Sequence, residues 1–77
     1  MKKFLEEYDR LYPNFKWFIE DYFPIAVEKL ELCRNNANVS GILSILNMVW
    51  FQLPDDQFNI IENPDGWNDF MYLLENF

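Results

Sequence analysis

Prolines at positions 13, 24, 54 and 64 constrain this chain more than any other feature. Proline has no backbone N–H, and its ring drives the preceding residue out of the helical region, so a helix ends or kinks where one falls. With Gly41 and Gly66, the prolines divide the sequence into segments that read as short helices. From Lys2 to Leu11, the residues Phe4, Leu5, Tyr8, Leu11 and Tyr12 recur at helical spacing, and Pro13 is expected to end that helix. A second helix is expected from Pro13 or Asn14, with Phe15, Phe18, Ile19 and Tyr22 on one stripe and Trp17 off it. Pro24 breaks or kinks it, and a seam of Val27, Leu30 and Cys33 or Arg34 continues to about Arg34. Asn35, Asn36 and Asn38 then mark a turn.

The segment from about Gly41 to Gln52 is the most apolar. Ile42, Leu43, Ile45, Leu46, Met48, Val49, Trp50, Phe51 and Leu53 leave it almost no polar face, so it reads as a largely buried central helix (41–53). Ser40 is the expected N-cap. Leu53-Pro54-Asp55-Asp56 reads as a turn, and Gln57 to Glu62 as loosely alternating, extended chain. Asn63-Pro64-Asp65-Gly66 starts the last helix, with Asn63 as N-cap and Asp65 near the positive helix end. Its apolar stripe is Trp67, Phe70, Met71, Leu74 and Phe77. The fold expected is all-α: a compact bundle of four to five short helices in one domain, residues 1–77.

So short a chain buries only roughly 60% of the surface it exposes when unfolded, and composition offsets this. Apolar residues make up 51% and aromatics 19%, with 8 Phe, 4 Tyr and 3 Trp. That excludes intrinsic disorder, and it exceeds what one small core needs, so some rings are expected on the surface or in an interface. The net charge is −7, from 13 Asp and Glu against 6 Lys and Arg. Such a chain repels phosphate backbones and anionic headgroups, so neither direct nucleic-acid binding nor membrane docking is expected, and a basic protein surface is its natural complement. Solubility alone also accounts for an acidic surface. Cys33 is the only cysteine, Glu6, Glu7 and Asp9 interrupt any signal-like apolar run, and Ile42 to Leu53 is too short to span a bilayer. A cytoplasmic protein is expected.

The residues for catalysis are missing. Without histidine no Ser-His-Asp or Cys-His arrangement can form, and the commonest metal ligand is absent. Cys33 on an apolar seam reads as a small core residue. The adjacent pairs Glu6-Glu7, Glu20-Asp21 and Asp55-Asp56 do not face one another on a helix and read as solvated edges. Placing Gly66 at the glycine of a calcium loop puts Ile61 and Tyr72 at the first and last ligand positions, where neither serves. No enzyme activity, cofactor or metal is expected. What remains is aromatic: Trp17 and Tyr72 fall off the apolar stripes, and both types are frequent binding hot spots. With nearby carboxylates, the expected partner-binding residues are Trp17, Glu20, Asp21, Asp55, Asp56, Asp65, Asp69 and Tyr72.

Glu62-Asn63-Pro64-Asp65-Gly66, followed by Asp69, Phe70, Met71 and Tyr72, resembles the stretch of nuclease-colicin immunity proteins that carries their toxin-contacting tyrosines. The likeness is confined to residues 62–72, and its spacing departs by one residue. It implies a small, acidic, helical inhibitor. In size, acidity and lack of catalytic residues the chain also resembles phage-encoded anti-defence proteins, including anti-CRISPR proteins and DNA mimics. The function expected is therefore a small acidic inhibitor that occupies the basic surface of a nucleic-acid-handling protein. An immunity or antitoxin-like partner of a toxin is one alternative, and a homo-oligomeric helical module that buries its surplus rings in a self-interface is the other.

Overall fold

The computed structural model, which describes residues 2–53 and 65–76, carries the first helix through Pro13: α1 spans Lys2–Ile19. This corrects the expectation of a break there. An interior proline costs about 3 kcal/mol. Against that, Phe4, Tyr8, Leu11, Phe15 and Phe18 step by four and three residues with no change of phase across position 13, and all are buried. Ending the helix at Pro13 would throw Phe15, Phe18 and Ile19 off the seam, and each is worth roughly 1.5–3 kcal/mol buried. Pro13 itself is exposed, so no core packing is disturbed.

At the other end of α1, the N–H groups of Tyr22 and Phe23 both bond to the Ile19 carbonyl, at 3.1 and 2.7 Å. Pro24 then sits at the start of α2 (Pro24–Asn35), where its missing N–H has no partner to lose. The turn after α2 falls among the asparagines as expected. It closes with Asn38 N–H to Cys33 O at 2.8 Å and Ala37 N–H to Arg34 O at 3.0 Å, the bonding pattern of a Schellman cap. Its left-handed position is Ala37, at φ 52°. Asn38 caps α3 (Val39–Gln52), its side-chain oxygen accepting from Gly41 N–H at 2.9 Å. Ser40 is therefore not the cap; it lies exposed inside the first turn. Starting the helix two residues earlier brings Val39 into the core.

The last helix, α4, spans Asp65–Asn76. Among the described residues these four helices form a small bundle with no strand. The turn expected at 54–56, the extended stretch at 57–62 and the Asn63 cap lie outside the described residues. α1 packs chiefly on α4 and α2 on α3, and smaller α1–α2 and α3–α4 contacts complete the bundle. The α1–α4 seam is aromatic: Phe15 lies 4.3 Å from Phe70 and 5.5 Å from Trp67 between ring centroids, and Tyr8 meets Phe70 edge-on at 5.7 Å. The core of α3 is Val39, Ile42, Leu46 and Val49, with Leu43, Ile45 and Trp50 partly buried beside it.

Tyr8 adds a polar atom to this apolar seam. Its hydroxyl is buried and has no hydrogen-bond partner among the described residues. Burial, aided by the neighbouring Tyr12, Asp9 and Glu31, drives its pKa far above the ordinary tyrosine value. Tyr8→Phe is therefore expected to stabilise the fold by about 1 kcal/mol, since an unsatisfied buried hydroxyl is removed with little change of shape. Thermal unfolding followed by circular dichroism tests this, and a lowered Tm would mean the hydroxyl has a partner. The native state holds Tyr8 neutral while the unfolded chain ionises near 10.0, so this group leaves the stability of the unsubstituted fold unchanged below pH 10 and lowers it as pH rises above 10. Tyr8→Phe should accordingly shift alkaline unfolding to higher pH.

Candidate functional site

Helix α4 contains no Lys or Arg, and its outward residues are Asn68, Asp69, Tyr72, Glu75 and Asn76. Three-residue steps bring Asp69, Tyr72 and Glu75 to one side of the helix, with a carboxylate one turn before the ring and another one turn after it. Tyr72 is 69% exposed, while the neighbouring Phe70 and Met71 are buried. The backbone carbonyl of Tyr72 accepts from Asn76 Nδ2 at 2.9 Å, so the final turn of the helix is tied to its own side chain.

Tyr72 and Asp69 also line a groove of about 690 Å³ between α1 and α4. Phe4, Leu11 and Leu73 supply apolar surface there, and Lys3, Glu7 and Arg10 come from α1. Arg10 donates to Glu7 Oε2 at 2.9 Å. That hydrogen bond and the Glu7 charge, with a smaller contribution from Asp69, hold the guanidinium charged beyond its ordinary range. The groove is thus an aromatic and aliphatic cleft with alternating charges at its rim. It can hold an apolar side chain, with an ionic group of the ligand at the edge.

Trp17 is likewise 69% exposed. It lies seven residues beyond Arg10, on the same helical line of α1 and about 10 Å further along the axis. Glu20 and Asp21 are exposed beside it, and Glu20 shares Lys16 with Glu31, at 3.8 and 3.3 Å. The candidates named from sequence therefore separate. Asp69 and Tyr72 meet at the groove, Trp17 lies further along its α1 edge, and Glu20 and Asp21 follow Trp17 where α1 ends. Asp65 opens α4, and Asp55 and Asp56 lie outside the described residues. Lys3, Glu7 and Arg10 had no signal in the sequence, because only the α1–α4 packing brings them beside Tyr72.

The acidic charge is unevenly distributed. Residues 1–53 carry seven acids and six bases, whereas residues 54–77 carry six acids and no base. Within the first part, Glu7, Asp9, Glu20 and Glu31 each sit within 4 Å of a base. Asp9 and Arg34 form a two-pronged pair at 2.8 and 2.7 Å that ties α1 to α2, and Tyr12 donates to Glu31 at 3.3 Å beside it. Burial and the Glu31 charge raise the Tyr12 pKa well above the tyrosine range. Among the described residues no group of three or more Cys, Asp or Glu side chains is placed to hold a metal ion, and no helix is long and apolar enough to cross a membrane. No protein-family model matches the chain, and no curated protein or solved structure shows a detectable match to it.

Proposed function

We propose that this chain is a small acidic inhibitor that binds another protein, occupying the basic surface of a nucleic-acid-handling partner with α4 and the adjoining edge of α1. The observation that carries this reading is Tyr72: a ring 69% exposed, flanked by Asp69 and Glu75, on a helix without a single base. A tyrosine can bury a large area at low entropic cost, and its two carboxylates both attract and orient a cationic surface. Trp17 supplies a second anchor along the same edge. Charge supports the same side of the chain, since four of the seven acids in residues 1–53 sit against a base, whereas the sequence of residues 54–77 contains no base. In this reading the carboxylates would take the place of nucleic-acid phosphates on the partner, as in the DNA-mimic and anti-CRISPR type of inhibitor.

The test is capture from host lysate with the tagged chain at low and high salt. A basic nucleic-acid-binding protein should be retained and then released by salt. Tyr72→Ala should weaken that complex on the order of 30-fold or more, and Asp69→Lys with Glu75→Lys should weaken it most at low salt. A complex indifferent to salt and to both sets of substitutions would overturn the proposal. The resemblance of residues 62–72 to immunity proteins favours one narrower reading, in which the partner is a nuclease toxin and Tyr72 takes the place of a toxin-contacting tyrosine. In that case the gene should lie beside a toxin gene and be inert when expressed without it.

A further inference from the structure

The α2–α3 hairpin exposes a second hydrophobic surface with a different electrostatic character. Ile25 (66% exposed) and Leu32 (63%) are seven residues apart and share one line of α2. Met48 (45%) and Phe51 (77%) are three apart on α3. The two helices run antiparallel through the short turn at 36–38, and they approach closely at Gly41, where a Cβ would lie 2.8 Å from Cys33 Sγ. Met48 is seven residues from Gly41 and so lies on the edge of α3 nearest α2. The antiparallel register brings Ile25 level with Met48 and Phe51, and the buried seams of both helices point away from this face. Ile25, Leu32, Met48 and Phe51 therefore lie together across the outer side of the hairpin.

Charge identifies the occupant. From Asn35 to Pro54 the sequence has no charged residue, so α3 contributes only Ser40, Ser44, Asn47 and Gln52 as polar neighbours of the patch. On α2, Lys29 lies between Ile25 and Leu32 with Glu28 at its flank, and the two cancel. A basic ligand finds no attraction here, and an acidic one none either. Two copies of a chain at −7 repel through their acidic surfaces, and this neutral face is where they can approach without opposing like charges. The hairpin is roughly 20 Å long and 20 Å wide, on the order of 400 Å² before side-chain relief is counted. The smallest stable interfaces bury about 600 Å² of accessible surface per partner, which is within reach of such a face. We propose that this chain forms a homodimer through the outer face of the α2–α3 hairpin, with Ile25, Leu32, Met48 and Phe51 in the contact, leaving α4 and Tyr72 free for the inhibited partner.

Sedimentation of the full chain over a wide concentration range, at low and high salt, tests the proposal. A dimer that salt does not dissociate is expected. Phe51→Asp and Met48→Asp should each weaken self-association on the order of 30-fold or more, while circular dichroism retains the helical signal because both positions face solvent in the monomer. Tyr72→Ala should leave the dimer intact and lose only partner capture, which separates failure of this proposal from failure of the functional one. A monomer at every concentration would overturn it. So would a dimer that survives Phe51→Asp and Met48→Asp, or one abolished by Tyr72→Ala.

Discussion

Trp67→Ala is expected to lower stability by about 3–5 kcal/mol. Trp67 is buried at the N-terminal end of α4, and three rings converge on it: Phe18 at 4.8 Å, Phe15 at 5.5 Å and Trp50 at 5.7 Å between centroids. Those rings belong to α1 and α3, so one side chain joins the helix pairs that otherwise meet least. Truncation removes the transfer free energy of the indole and leaves a cavity whose walls are rigid rings that collapse poorly into it. A chain of 77 residues has on the order of 4–12 kcal/mol of stability in total, so the variant should be largely unfolded or close to it. Urea unfolding followed by circular dichroism measures this. Trp67→Phe keeps a ring in the site and should cost no more than about half as much. Trp17→Ala is the control: an exposed tryptophan off the core should change stability by no more than about 0.5 kcal/mol. Equal losses at positions 17 and 67 would mean that the aromatic seam does not hold α1, α3 and α4 together.

That contrast restates the division of labour among the aromatic residues. Phe4, Tyr8, Phe15, Phe18, Trp67 and Phe70 fill the core, whereas Trp17, Phe51 and Tyr72 are largely exposed. The exposed rings divide by charge environment. Tyr72 lies between Asp69 and Glu75 on its own helix, with Arg10 and Lys3 across the groove, and Phe51 lies on a helix with no charge at all. Exposed rings in two such different settings suit two different partners: a cationic surface for one, an uncharged copy of the same hairpin for the other.

Helical periodicity was enough to read the fold class and the α2 segment, because buried positions there recur at three and four residues, and α3 was legible as a nearly unbroken apolar run. It was also enough to place Trp17 and Tyr72 outside the core. Pro13 misled because its local penalty is visible in sequence, while the seam that outweighs it is seen only if Leu11 and Phe15 are recognised as one continuous stripe. Ser40 and Asn38 are both good caps, and the choice between them is made by Val39, whose burial needs the longer helix. The groove could not be read at all: Lys3, Glu7 and Arg10 are ordinary surface residues of α1 until α4 packs beside them. The charge asymmetry was open to inspection from the start, since no base follows Arg34, but a single net charge for the chain conceals it.

Gly66 makes the strongest case for reading a residue through its neighbours. In the first turn of a helix it counts as a weak helix former, and replacing such a glycine with alanine ordinarily gains about 0.5–1 kcal/mol. Here the expected sign is reversed. A Cβ at position 66 would fall 2.2 Å from Asn14 Cβ, with Asn14 Cγ at 3.1 Å. Cβ is fixed to the backbone, so no rotamer change relieves the overlap and α1 and α4 must separate. Overpacking typically costs 1–3 kcal/mol, and a contact between two Cβ atoms belongs at the top of that range, so Gly66→Ala should destabilise by about 3 kcal/mol. Asn14→Gly removes the opposing Cβ at a cost of about 0.3 kcal/mol in helix propensity, since asparagine is itself a poor helix former. The double variant should therefore be more stable than Gly66→Ala alone, although each substitution by itself is destabilising. Such non-additivity is what direct contact produces, and denaturant unfolding of the four proteins measures it. Additive losses would mean that α1 and α4 do not cross at Asn14 and Gly66, and with that the antiparallel placement of Tyr72 beside Arg10 would fall too.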